Sequence, residues 1–206
     1  MSFIEEQRRK QIIDATIMVL ARNGVAQTSL SRIAAEAGIS KSVISYHFNG
    51  KDEIFEQLFA TISKRIEAAL VPEIDKATTS WERIAAYIGG QLAYMRTHRA
   101  ELLAIGHIAL SHIGTGTTPD YIANTSTEEH DLLRDWLAEG QADGSFAPFD
   151  IDVMAATISG AIESTLSRWA ENPHIDLDHY TRELIALFDR AVRSGDGAPL
   201  NRRGIP

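Results

Sequence analysis

Lys41, Ser42, Ser45, Tyr46 and His47 all fall within the stretch KSVISYHF, residues 41–48, and each carries a hydrogen-bonding tip. If this stretch is a helix capped by Ser40, these side chains point outward while Val43, Ile44 and Phe48 follow an apolar spacing. Small hydroxyls and a single Lys suit hydrogen bonding to base edges in the major groove of DNA. The polar tips of Tyr46 and His47 suit phosphates. Just upstream, TSLSRIAAEA reads as another short helix, opened by Thr28 and turning Leu30, Ile33, Ala34 and Ala37 inward. Only Gly38, Ile39 and Ser40 separate the two. A helix-turn-helix needs this arrangement: small residues where the helices cross (Ala34, Ala37), a glycine in the turn (Gly38) and an apolar plug beneath it (Ile39). Two short helices inside an ordinary bundle are the alternative. That alternative must also explain the long helix before them and the GKDEIF start after them.

A different set of polar tips recurs downstream. Tyr87, Gln91, Tyr94 and His98 lie about one helical turn apart. They would form either the wall of a small-molecule pocket or an ordinary amphipathic face with its hydroxyls at solvent. His107 is open to the same two readings, a ligand contact or a satisfied core histidine. Glu163 would neutralise a cationic ligand, or face solvent or a partner subunit. Catalytic and metal constellations are not recognisable. His107/His112 and His174/His179 are spaced by five, which turns their rings apart on a helix, unlike a zinc-binding i, i+4 pair. GTGTT has no lysine to serve a phosphate loop, and no serine stands in a nucleophile-elbow pattern. The expectation is no catalytic residue, no metal and no cofactor. A helical enzyme or small-molecule carrier with an incidental helix-turn-helix likeness is the alternative function.

The elements that must position these residues read as helices throughout. Helix one starts at Ser2, which forms a capping box with Glu5, and runs to Gly24. Gly50 opens a fourth helix from Lys51 to about Leu70, ended by Pro72, with Ile54, Phe55, Leu58, Phe59 and Ile62 on its buried face. Further helices are expected over 81–97, 100–113, 127–141, 151–171 and 177–193. GTGTTPDYIANTS is expected to be a mobile loop, Ser126 and Glu129 to form another capping box, and Asp150 to cap the helix after ADGSFAPFD. The fold class is all-α. A helix-turn-helix domain over 1–50 is joined to a helical body over 51–193, and 194–206 has the composition of a disordered tail.

Composition agrees with this division. The net charge of −8 is uneven: residues 1–55 hold seven Lys/Arg against six Asp/Glu, and the remainder 13 against 22. The acidic excess therefore lies wholly in the body, away from the segment proposed to face DNA. The absence of cysteine excludes a disulfide framework or thiol nucleophile. MSFIEEQRRK has no apolar signal core, and no apolar run approaches the ~20 residues that span a bilayer. A cytoplasmic protein without membrane partners is expected.

Residues 8–59, with IIDATIMVLARNGVAQTSLSRIAAEAGISKSVISYHFNGKDEIF as the matching pieces, resemble the DNA-binding domain of TetR-family transcriptional regulators. The likeness spans about four helices and covers the first quarter of the chain. It implies a homodimer that sets two recognition helices in successive major grooves of a palindromic operator. It also implies a helical C-terminal domain that dimerises and holds the pocket for a small-molecule inducer, with repression as the default. By position, Thr28 and Lys51 match phosphate-contacting places, Lys41, Ser42 and Ser45 match base-facing ones, and Tyr46 and His47 match a backbone-touching aromatic pair. Val43 falls where a thymine methyl contact is open. One departure stands out: the recognition helix has a single Lys and no Arg, Asn or Gln, which shifts weight from direct base readout to DNA shape.

The run VMAATISGAIESTLS is apolar nearly all round, as a helix buried on more than one side must be. The resemblance implies that it pairs with the final helix across a four-helix dimer interface. The expected interface residues are Met154, Ile158, Gly160, Ile162, Leu166 and Trp169, with Leu184 and Phe188.

Overall fold

The computed structural model describes residues 2–112 and 118–193. Its described elements are α1 (Phe3–Asn23), α2 (Leu30–Ala37), α3 (Lys41–His47), α4 (Lys51–Ile74), α5 (Ser80–Thr97), α6 (Arg99–Ser111), α7 (Asp120–Ala142), α8 (Ile151–Glu171) and α9 (Leu177–Val192). Extended pairing among the described residues is limited to one isolated antiparallel bridge between Phe146 and Arg193. The fold is all-α.

Local chemistry sets the helix ends. The Ser2–Glu5 capping box is present, and Gly24 closes α1. Gly38 adopts φ 65°, ψ 32°, the left-handed conformation that spares it a Cβ clash, and its N–H returns to the last turn of α2. Ser40 caps α3 through the Val43 N–H, and Asp150 caps α8 through that of Val153.

Three boundaries differ from the sequence-based expectation. α2 is capped by Ser29, whose hydroxyl accepts from the Arg32 N–H, and not by Thr28. α4 runs through Pro72 to Ile74. A proline this close to the end removes one ladder bond, and the Asp75 N–H still reaches the Val71 carbonyl. α7 begins at Asp120, so residues 120–126 are helix and not loop, and Ser126 and Glu129 lie inside α7 and form no capping box. The physical reason is Pro119, whose φ of −57° is already helical, together with Ile122 and the Tyr121 ring, which packs 5.4 Å from Phe59. Residues 114–117 of the expected loop, residue 113 at the end of the expected helix 100–113, and the expected tail at 194–206 lie outside the described residues.

Two cores result. The first joins Ile12 and Leu20 of α1, Ile33 of α2, Ile44 of α3 and Ile54 and Leu58 of α4 to Ala104 and Ile108 of α6. The second is built from the end of α4 with α5, α7, α8 and α9, around Ile88, Leu92, Leu133 and Ile158. Ile66 on α4 packs against both. At the crossing of α4 and α5, a Cβ on Gly90 would sit 2.8 Å from Leu70 Cγ, so these helices approach as closely as they do only because Gly90 has none.

Candidate nucleic-acid interface

α3 has only seven residues, too short to be stable alone, and it is held from beneath. Ile44 is wholly buried and Phe48 nearly so. With that side fixed, Lys41, Ser42, Ser45 and Tyr46 are exposed, while Val43 and His47 are half-buried at the rim. Tyr46 is 77% exposed, its ring outside the core. Its ring meets that of His47 edge-on at 5.0 Å. The Ser42 hydroxyl lies 2.8 Å from the capping Ser40 hydroxyl, so the start of α3 presents two coupled hydroxyls beside Lys41.

The rest of the face carries little opposing charge. Neither α2 nor α3 has an acidic residue in its first turn, which leaves both helix N-termini unopposed toward an anion. Glu36 is paired with Arg22 at 2.9 Å and Glu53 with Arg9 at 3.1 Å. Hydrogen bonds, chiefly from the Asn49 backbone N–H and then from Arg9, hold the Glu53 carboxyl below its ordinary pKa.

Thr28 and Lys51 occupy different settings from the exposed group. Thr28 is buried, and its hydroxyl donates to the Gly24 carbonyl at 2.7 Å, so a phosphate here would have to displace that bond. Lys51 is half-buried. Its ammonium donates to the Thr28 carbonyl at 3.4 Å and sits 5.6 Å from the Phe55 ring centroid. The two residues thus tie the start of α4 to the loop before α2.

The downstream polar tips do not form one wall. Residues 87 and 94 share a face of α5 but lie about 10 Å apart along its axis, and different helices cover the two ends. Tyr87 is buried, edge-on to Trp136 of α7 at 6.1 Å, and bonded to Gln91. Burial, then the Glu129 and Glu163 carboxylates, push its hydroxyl pKa up. Glu129 is half-buried, and its own pKa is raised first by burial and then by Glu163 and Glu128. Glu163, itself exposed, belongs to this end.

Tyr94 belongs to the other end. Its hydroxyl donates to Glu101 of α6, whose second oxygen pairs with Arg65 of α4 at 2.6 Å, and Arg65 reaches Asp14 of α1 at 3.1 Å. Burial, followed by Glu101, raises the Tyr94 pKa. His98 stacks flat on the Tyr94 ring at 3.9 Å. A cleft of about 260 Å³ opens here between Asp14, Met18, Arg65, His98, Arg99 and Glu101. His107 is displaced further: a Cβ on Gly24 would lie 3.7 Å from its Nδ1, which places the ring against the end of α1. Of the row read as either a pocket wall or an amphipathic face, the structure packs the Tyr87 and Tyr94 ends into two separate clusters, with His107 in neither. Sequence reasoning took Glu129 only for a helix cap and passed over Arg65 and Glu101. Their partners lie on other helices, so no local spacing marks them.

α8 also turns out differently. Ile158, Ile162 and Trp169, with Phe188 of α9, are buried in the chain's own core, and Met154, Leu166 and Leu184 pack against it. Of the expected interface set only Gly160 is exposed, and a Cβ there would meet nothing within 4 Å. The outward side carries Val153, Ala156, Thr157, Gly160, Ser164 and Ser167 on α8, and Leu187, 51% exposed, on α9. The large side chains face inward because the body core needs their volume, and the small ones are left outside.

Residues 12–58 match the family model described as bacterial regulatory proteins, tetR family. The chain is 33% identical over 79 residues to the HTH-type transcriptional regulator SrpR of Pseudomonas putida, a match covering 38% of this chain and 37% of that one. The Fatty acid metabolism regulator protein of Bacillus subtilis is 25% identical over 164 residues, which covers 79% of this chain and 83% of that one. Among solved structures, a protein described as a TetR-family transcriptional regulator from Rhodococcus sp. superposes with a TM-score of 0.81 at 21% identity, over 91% of this chain and all of that one. The likeness to SrpR thus spans little more than a third of that relative's length, and what extends over the whole molecule is the fold. Residues 12–58 thus carry the DNA-binding domain of the tetR family of bacterial regulatory proteins, within a chain whose whole fold is that of a TetR-family structure.

Proposed function

We propose that this protein is a ligand-responsive repressor that binds a palindromic operator as a homodimer and is released by a small-molecule inducer. Residues 1–50 serve as the DNA-binding unit and 51–193 as the ligand-binding and dimerising body. The observation that carries the reading is the exposed row of Lys41, Ser42, Ser45 and Tyr46 on a helix whose other side is locked by Ile44 and Phe48. Selection of duplexes from a random-sequence pool tests it. A consensus with two-fold symmetry is expected, and recovery of no sequence above background would sink the reading.

The two lysines separate base from phosphate contacts. Lys51→Ala is expected to weaken binding about equally on every duplex and to reduce the salt slope by about one contact per half-site. Lys41→Ala is expected to lose about 1–3 kcal/mol on the selected duplex and to relax preference at one base pair of each half-site. Salt titrations on the selected and singly substituted duplexes distinguish the two. A uniform loss for Lys41→Ala would make it a phosphate clamp, leaving direct readout to Ser42, Val43 and Ser45.

The relative named for fatty acid metabolism makes a fatty acyl compound the first inducer to try. Such a molecule releases DNA only if it binds the DNA-incompetent state more tightly than the competent one. Gln91→Ala, at the Tyr87 end of α5, is expected to lose the response while keeping DNA affinity. Tyr94→Phe, which breaks a bond at the joint with α6, is expected to change DNA affinity itself. Gel shifts with and without acyl compound check both, and a normal response from Gln91→Ala places the pocket elsewhere.

A further inference from the structure

Arg9 lies on α1, outside the helix-turn-helix, yet its guanidinium makes three contacts that converge on the end of α3. One Nη donates to the His47 carbonyl, at the last residue of α3. The other Nη bonds Glu53 at 3.1 Å. Its Cζ lies over the Phe48 ring, 4.0 Å from the centroid. Glu53 completes the arrangement: its second oxygen accepts from the Asn49 backbone N–H at 2.7 Å and from the Asn49 amide at 2.9 Å. One carboxylate and one guanidinium thus tie α1, the end of α3, the turn and the first part of α4.

α3 itself has few means of holding this angle. Its N-terminus is capped by Ser40 at 3.4 Å, and its single fully buried side chain is Ile44. At its C-terminus the chain turns straight into extended backbone at Phe48, φ −142°. A carbonyl at the end of a helix has no partner within the helix, and here a fixed cation supplies one. The planar guanidinium meets two acceptors and an aromatic face together, which a lysine ammonium does not do.

We propose that Arg9 is a positioning residue for sequence readout. Without touching DNA, it fixes the angle of α3 through the His47 carbonyl, Phe48 and Glu53, so that Lys41, Ser42 and Ser45 meet base edges in register. This rests on the DNA-binding reading above. With both terminal nitrogens bonded inside the chain and its side chain only 21% exposed, Arg9 is a poor phosphate contact despite its charge.

The test compares Arg9→Ala, Arg9→Lys and Glu53→Gln with the wild type on two probes, the duplex selected from the random pool and sheared genomic DNA. Arg9→Ala is expected to lose about tenfold on the selected duplex, to stay within about twofold on genomic DNA, and to keep the wild-type salt slope. Arg9→Lys is expected to restore only part of the loss, and Glu53→Gln to show the same selective loss in smaller measure. In the free protein, Arg9→Ala is expected to speed amide hydrogen exchange at residues 41–49 while leaving 151–171 unchanged.

An equal loss on both probes with a shallower salt slope overturns the proposal, because Arg9 is then a phosphate contact. Unchanged exchange at 41–49 also overturns it. If Arg9→Ala does not unfold cooperatively, Glu53→Gln decides, and an unaltered ratio between the two probes counts against the proposal. If the wild type selects no DNA, the functional reading fails, and the positioning proposal fails with it whatever the exchange result.

Discussion

Replacing Ile44 by alanine is expected to destabilise the N-terminal core by about 2–5 kcal/mol and to abolish operator binding. The side chain is wholly enclosed, among Ile12, Ile33, Phe48 and Ile54 of the same core, so its removal leaves a cavity that four helices must close around. Domain stabilities are only about 5–15 kcal/mol, so the loss is a large share of the total. It falls on a seven-residue helix with little stability of its own. Chemical denaturation gives the stability change, and a gel shift on the selected duplex gives the functional one. Full affinity in a clearly destabilised variant would show that α3 does not need its inner anchor to read DNA. Ile44→Val, which removes one methylene, is expected to cost about 0.5–1.5 kcal/mol and to retain binding.

The other large effect is expected at Gly160. Leucine there should leave the single chain folded, because its Cβ meets nothing within 4 Å in the protomer and a mid-helix glycine gives way to a better helix former. If the small-residue side of α8 is where two copies meet, the same leucine intrudes between closely approaching backbones. Overpacking costs about 1–3 kcal/mol per site, and a two-fold axis presents the change twice. On that condition the variant is expected to sediment as a monomer at concentrations where the wild type sediments as a dimer, with the single chain still unfolding cooperatively. DNA affinity should fall too, because one recognition helix then acts without its twin. An unchanged dimer would move the interface off this side of α8. Leu187→Ser on α9 then tests whether the last helix alone carries it, since Leu187 is the large apolar side chain exposed there.

The sequence by itself determined much of the local structure. Caps such as Ser2, Ser40 and Asp150, the turn at Gly38 and the helical spacing of Ile12, Leu20, Ile33 and Ile44 all act within a few residues of chain, so they can be read directly. For the same reason the exposed row of α3 was legible: a helix with Ile44 inward must turn Lys41, Ser42 and Ser45 outward. Pro119 was as local as these, but it sat in a stretch whose composition favoured a loop, and the packing of Tyr121 and Ile122 decided for helix.

Tertiary structure decided which side of a two-sided helix is inner. α8 is apolar on one flank and small on the other, and its sequence allows either to face a partner. The volume required by the body core drew Ile158, Ile162 and Trp169 inward. It also decided the fate of the Tyr87–His98 row, because helices packed at opposite ends of α5 divide residues that share one face. Arg9 was the least legible of all: its partners are 38 and 44 residues away, and only folding brings a guanidinium on α1 to the end of α3.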